Sequence, residues 1–442
     1  MPENLRTQLD RIDALIRVGN REEAVTALSA HLPTDIPRND AVYFASLCRR
    51  AGRPVDGMRA LYPFVSEEIP SEPSASELEE YAACLIRIGA THEALQILET
   101  LNAPLSLDAM MLTVYAFLQE WRHEEAIPLL RAITEQNDIP NGQRLALQVN
   151  LAAALVIEGR TPEAHSLVGA LLAQLETSRN PMLRASLLSQ SARAHILNGK
   201  WKLAAKGYEE AAEIVAKIGL KHSLLHVKWT LQSRIAQGKA PGPQMTKAFK
   251  SEILQAHGES LREVDWTYAM KTGDIKSLTR LYFGAAQPRY RTLLLSQTKS
   301  KFRIPEHYGW KLSPAKATKH VEINGSEVTV MGKKPKPIEL QAHQVRVLKA
   351  LCSDFYCPVG LGKLFEAFSL SAPFDPEPAA ESIGLVVSDL NDIFRRQRLG
   401  IKVKAFSVNR YGLTSKTTSL KLHAEDLIEW DERTDYRRTL AA

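Results

Sequence analysis

One phrase recurs along the first half of this chain and limits what it can fold into. A helical apolar run meets a turn residue, and five positions later a small residue opens a second apolar run. The phrase reads "LIRVGNREEAVTAL", "LCRRAGRPVDGMRAL", "LIRIGATHEALQIL", "FLQEWRHEEAIPLL", "LVIEGRTPEAHSLV" and "ILNGKWKLAAKGY". Its turn positions are Gly19, Gly52, Gly89, Trp121, Gly159 and Gly199, spaced by 33, 37, 32, 38 and 40 residues. A weaker seventh copy, "MKTGDIKSLTRLYF", surrounds Gly273.

Glycine closes a helix in the left-handed conformation without a Cβ penalty. The small residues at Ala24, Gly57, Ala94, Ala126, Ala164 and Ala204 let the second helix approach the first closely. Each phrase is therefore a helical hairpin, and because one hairpin cannot bury its apolar face alone, hairpins of this period stack into a solenoid. On these residues the sequence resembles tetratricopeptide repeats, most closely over residues 5–235, in the degenerate form that lacks most consensus aromatics. Trp121, Trp201, Tyr115 and Tyr208 fall at helical or inter-helical positions and read as core.

The hydrophobic fraction of 45% and charged fraction of 24% in 442 residues predict a globular protein of two or three domains. No stretch approaches the eighteen apolar residues of a membrane span, and "MPENLRTQLDRIDALIRVG" lacks a secretory pattern, so a cytoplasmic protein without a membrane partner is expected. Cys48, Cys84, Cys352 and Cys357 are too scattered for a disulfide framework and read as thiols. No His or Cys cluster has metal-ligand spacing, and the glycines read as helix stops rather than phosphate cradles. No enzyme, metal or cofactor is therefore expected.

Net charge is +6, and all of the excess lies late in the chain. Residues 296–442 hold 23 Lys and Arg against 17 Asp and Glu, whereas residues 1–295 balance. Between Ile393 and Ala424 there are eight cations and no acid. Such clustering is the footprint of a polyanion partner.

Periodicity also changes there. "HVEING", "SEVTVMG" and "KPIEL" alternate as short strands about an Asn-Gly turn, and "QAHQVRVLKALCS" spaces its apolar residues as a helix face. "VGLGKLFEAF" gives a second helix. "EPAAESIGLVVSDLNDIFRRQRLG" starts acidic and ends basic, matching the helix dipole. "IKVKAFSVNRYGL" closes as a β-hairpin.

This order resembles the OmpR/PhoB-type winged-helix DNA-binding domain. The resemblance rests on the strand ending at "IEL", on the third-helix pattern Val387, Ser388, Leu390 and Arg395–Arg396, and on the closing "RYGL". It implies that Ser388, Asn391, Arg395, Arg396 and Arg398 face or flank a DNA groove and that Arg410 and Tyr411 belong to the wing. Lys402 and Lys404, with Lys333, Lys334 and Lys336 further off, would supplement contact with the phosphate backbone. Asp389 and Asp392 depart from the basic middle usual in that family.

The expected fold is mainly α, a tetratricopeptide-like solenoid with a smaller α+β winged-helix domain at the C-terminus. The expected division is repeats over 1–240, further hairpins over 241–295, a basic linker over 296–319, the winged helix over 320–415 and an extension over 416–442. Phe302, Tyr308 and Trp310 would make the linker an ordered strap, and the acidic "HAEDLIEWDE" could shield the basic face. The resemblances imply a bacterial transcription regulator whose solenoid holds a protein or peptide and whose winged helix binds double-stranded DNA, as a monomer or a homodimer. The alternative is an interaction scaffold whose winged helix contacts protein.

Overall fold

The computed structural model describes residues 4–66, 72–101, 105–176, 180–220, 223–239, 257–298, 302–312, 317–370 and 372–427. The chain forms two compact units. The first joins residues 1–116 to 309–353 and 358–442, and the second joins 117–308 to the tetrapeptide Asp354–Cys357. The breaker-rich stretch expected at 236–247 and the helical start expected after it fall largely on residues 240–256, outside the described residues.

In the first unit, α1 (Leu5–Arg17) and α2 (Arg21–Ser29), α3 (Arg38–Ala51) and α4 (Pro54–Val65), and α5 (Ala75–Ile88) and α6 (Thr91–Glu99) form three hairpins. They turn at Gly19, Gly52 and Gly89 with φ of 82°, 91° and 88°, the left-handed conformation read from the sequence. Ala24 and Ala94 are fully buried. At Gly57 even a methyl group would lie 2.9 Å from the Ala45 carbonyl oxygen, so the helices of that hairpin nearly touch. Neighbouring hairpins are also bridged by charge, with Arg50 donating to Asp13 at 2.6 Å and Arg38 gripping Glu77 at 2.7 and 2.8 Å.

The α+β part of this unit holds β1 (His307–Lys311), β2 (Lys319–Asn324), β3 (Glu327–Met331) and β4 (Lys336–Pro337). After them come α17 (Ala342–Leu351), β5 (Val359–Gly360), α18 (Leu361–Phe368), α19 (Pro378–Arg396), β6 (Ile401–Ser407), β7 (Arg410–Ser415) and β8 (Thr418–His423). This is the expected order of strands, three helices and a hairpin with three strands added: β1 within the expected linker, β5 between α17 and α18, and β8 after the hairpin. β8 returns to the first sheet, ordered β1-β8-β2-β3-β4, and pairs parallel to β2 with Val321 opposite Leu420. The boundary expected at residue 416 thus falls just before an inner strand, because Leu420 and Leu422 supply buried side chains there. Beyond β8, Asp426 accepts from Lys349 at 2.8 Å and from the Gly325 amide at 2.9 Å. From residue 428 on, the acidic stretch lies outside the described residues.

Within the same unit the α+β part is seated on the α5–α6 hairpin. A Cβ on Gly360 would stand 2.2 Å from the Ile88 carbonyl oxygen, and one on Gly362 2.5 Å from the Ala90 nitrogen. Neither glycine has positive φ. They are sites of close backbone approach rather than the helix stops that sequence suggested. Phe374, 1% exposed, packs edge-on against Phe365 and fixes the connection between α18 and α19.

The second unit contains the end of α7 (Leu107–Gln119), then α8 (His123–Glu135), α9 (Asn141–Ile157), α10 (Thr161–Glu176), α11 (Pro181–Leu197), α12 (Trp201–Lys217) and α13 (Leu224–Ala236). α14 (Gly258–Thr272), α15 (Ile275–Phe283) and α16 (Pro288–Gln297) complete it. Gly159, Gly199 and Gly273 turn in the left-handed conformation as expected, and Trp121 does so too, with φ of 58°. A side chain there costs about 1–2 kcal/mol. Edge contacts of the Trp121 ring with His123 at 5.2 Å and Tyr290 at 4.6 Å offset it. Of the aromatics read as core, Tyr208 is buried and Trp121 and Trp201 are half-buried, but Tyr115 is 44% exposed because it falls on the outer face of α7. The strap expectation holds for Phe302, which is buried near Tyr282, and for Tyr308, which stacks on Phe283 and Phe355.

The tetrapeptide Asp354–Cys357 is held tightly in this unit. Asp354 accepts from Arg262 at 2.5 Å and from the amides of Tyr356 and Cys357 at 2.8 Å each. Gly258 and Gly284 admit it, since a Cβ on either would meet Tyr356 or Phe355 within 2.6 Å.

Candidate functional site

α19 is the element that could enter a groove. Pro378 starts it, Glu381 lies in its first turn and Arg395 and Arg396 in its last, as the helix dipole favours. Ala379, Ile383, Val386, Leu390 and Phe394 form its buried face. The opposite face exposes Glu381, Leu385, Ser388, Asp389, Asp392, Arg395 and Arg396. Its charges are segregated along the axis, acidic through the early and middle turns and basic only at the end.

Asn391 is placed otherwise than the sequence suggested. Its side chain donates to the Val403 carbonyl at 3.1 Å and accepts from the Val403 amide at 2.8 Å. Both polar ends are spent on β6, so Asn391 fixes the wing to the helix instead of facing a base. Arg395 is exposed and pairs with Asp392 at 2.9 Å. Arg398 follows the helix at φ of 52°, and its carbonyl accepts from Lys319, a cation that the sequence reading passed over.

The expected hairpin forms. β6 and β7 pair Lys402 with Thr414 and Lys404 with Gly412, in a sheet ordered β5-β7-β6. Ile401 and Val403 point to the core, which leaves Lys402 and Lys404 exposed on the outside of the edge strand β6. The tip turns at Asn409, φ 61°, whose carbonyl accepts from the Leu361 amide at 2.9 Å. Arg410 is exposed and donates weakly to the Pro358 carbonyl at 3.4 Å, while burial raises the pKa of the half-buried Tyr411.

The structure therefore gathers Arg395, Arg396, Arg398, Lys402 and Lys404 around the Asn391–Val403 clamp. Lys333, Lys334 and Lys336 are exposed but lie at and beside β4, on the edge of the other sheet. Sequence reasoning missed three exposed apolar side chains, Leu385 on α19 (61% exposed) and Phe406 and Val408 at the wing tip (53% and 67%). Alternation along β6 could have signalled Phe406, since it shares a strand face with Lys402 and Lys404.

Among the described residues no group of His, Cys, Asp or Glu could hold a metal ion, and no helix is long and apolar enough to cross a membrane. Cys48, Cys84, Cys352 and Cys357 are unpaired thiols. No protein-family profile matches the sequence, and no curated protein matches it significantly. Among solved structures, a Rap protein complexed with Competence and Sporulation Factor is similar at 13% identity and a TM-score of 0.37, covering 67% of this chain and 86% of that one.

Proposed function

We propose that the protein is a non-enzymatic regulator that binds double-stranded DNA through an OmpR/PhoB-type winged helix and a protein or peptide partner through its helical repeats. The observation that carries the DNA reading is the cation strip at the end of α19 and along the outside of β6. Five exposed cations, Arg395, Arg396, Arg398, Lys402 and Lys404, stand around one clamp, with Arg410 on the neighbouring strand. Phosphates are the partner this strip fits, because each neutralised phosphate releases a counterion. Base reading has less to work with. Asn391 is engaged, and Glu381, Asp389 and Asp392 repel phosphate along the rest of the exposed face, though an acid can accept from a cytosine amino group.

The reading predicts binding dominated by backbone contacts and therefore by salt. In a salt-series titration of the full chain against random duplex DNA, about four or five contacts give a log–log slope near −4. Replacing Arg396, Lys402 and Lys404 together with alanine makes that slope shallower by about 2 to 3 units. A folded chain with no affinity at low salt would refute it.

The second reading, a scaffold whose winged helix contacts protein, is favoured by one specific observation. Leu385 is 61% exposed in the midst of Glu381, Asp389 and Asp392, an apolar anchor in an acidic rim that suits a basic protein surface better than DNA.

A further inference from the structure

The second unit contains a buried cation with no direct ion pair among the described residues. Arg193, on α11, is 8% exposed. Its guanidinium lies over the Trp266 ring at 4.4 Å, yet it forms no ion pair or hydrogen bond among the described residues, and its enclosed Nε has no acceptor. An enclosed donor left unused costs the chain desolvation, which the contact with the ring only partly offsets.

Two further donors nearby are unused. Tyr290, on α16, has a buried hydroxyl without a partner, and Arg262, whose guanidinium lies 5.3 Å from the Tyr290 ring, has an enclosed Nε without an acceptor. The charges of both arginines act on Tyr290 against those of Glu259 and Asp265, and burial, the largest influence, holds its hydroxyl neutral. The acid that feels Arg193, Glu263, is already held by Lys228 at 2.8 Å. Arg262 uses Nη1 on Glu259 at 3.3 Å and Nη2 on Asp354. The donors of Arg193 have no acceptor among the described residues.

We propose that Arg193 is the receptor for a carboxylate, with Trp266 as its platform and Tyr290 as an adjacent donor. The forked guanidinium suits a planar two-oxygen anion, and the ring beneath it holds the fork in place. Resting on the peptide-binding reading of the repeats, the carboxylate is one delivered by a peptide, either as an acidic side chain or as a free C-terminus.

The test uses the full chain with Arg193→Met and Arg193→Lys variants, melted and titrated calorimetrically at constant ionic strength set with sodium chloride. The probes are glutarate, a blocked Gly-Gly-Asp amide, and Gly-Gly-Gly with a free or an amidated C-terminus. Wild type is expected to bind carboxylate-bearing probes and melt higher with them than with chloride. Arg193→Met loses about tenfold or more in affinity, and Arg193→Lys, which keeps charge but not the fork, loses less. Without ligand, Arg193→Met should melt close to wild type, because the charge it removes has no direct ion pair and the Met side chain keeps an apolar contact with the Trp266 ring. Binding of glutarate without either peptide upholds the carboxylate site and removes the peptide reading; preference for the Asp or the free-terminus probe identifies the source. No binding by wild type, equal binding by Arg193→Met, or a large loss of unliganded stability in that variant overturns the proposal.

Discussion

Both carboxylate oxygens of Glu93 accept the backbone N–H of Phe374, at 3.1 and 3.0 Å. Tyr81 donates its hydroxyl to the Phe374 carbonyl at 3.1 Å. One residue of the connection between α18 and α19 is thus held at both ends of its backbone by the α5–α6 hairpin. The start of α19 is consequently set by repeat side chains as well as by its own domain.

Burial raises Glu93 to about 7, with the Phe374 amide pulling the other way. Its folded-state pKa lies above the ordinary glutamate value of 4.5, so the folded protein keeps a proton that the unfolded chain releases. The associated stability is complete below 4.5 and is lost as pH rises through about 7. Glu93→Gln keeps an acceptor for the Phe374 amide and removes the titration. Thermal melts at half-unit pH steps should show wild type losing stability relative to the variant over this window and a constant difference above it. A difference that does not vary with pH would mean that Glu93 ionises freely.

Gly360 and Gly362 make the seating of the same domain sensitive to one methyl group. Gly360→Ala places a Cβ against the Ile88 carbonyl and should cost about 1–3 kcal/mol in urea unfolding, with early proteolysis of the α+β part. Gly384, exposed in the interior of α19 with nothing within 4 Å of where a Cβ would stand, is the control. Gly384→Ala should stabilise by up to about 1 kcal/mol through helix propensity. Equal effects at the two sites would remove the close-approach argument.

What the sequence disclosed was local. The left-handed turns were legible because glycine recurred five residues before a small side chain, and Trp121 was legible only as the occupant of that slot. The three helices and the hairpin of the α+β domain were legible from their periods. Non-local arrangements left no such mark. β8 pairs with β2 about a hundred residues away, and nothing in its local pattern names the sheet it joins. Asn391 looked like a base reader because its type and place fit that role; only the backbone of β6 beside it shows otherwise. Arg193 lies on a helix whose apolar residues are spread around it, so nothing in its spacing marks burial without a partner.

Asp354 and Arg262 form a buried pair, and removing one partner leaves a buried charge. Asp354→Ala should cost about 3–5 kcal/mol, read as a lowered midpoint in chemical unfolding of the full chain. Asp354 also caps two amides, so Asp354→Asn, which can still accept from Tyr356 and Cys357, should recover part of the loss. A cost below about 1 kcal/mol for Asp354→Ala would show that the pair is solvated.

The acids on α19 separate the two readings of the winged helix. If α19 approaches DNA, Asp389 and Asp392 oppose the phosphates, and Asp392 also occupies Arg395 through their 2.9 Å pair. Replacing both with asparagine removes two negative charges and frees Arg395, so affinity for random duplex should rise, by about tenfold at low salt, with a steeper salt dependence. Stability should change by no more than about 0.5 kcal/mol, since both acids are exposed and away from the core. If α19 instead meets a basic protein surface, the same variant loses charge complementarity and its DNA affinity is unmoved. Fluorescence anisotropy with a labelled duplex at two salt concentrations distinguishes these outcomes, and unchanged DNA binding would leave the exposed Leu385 and its acidic rim as the interface to pursue.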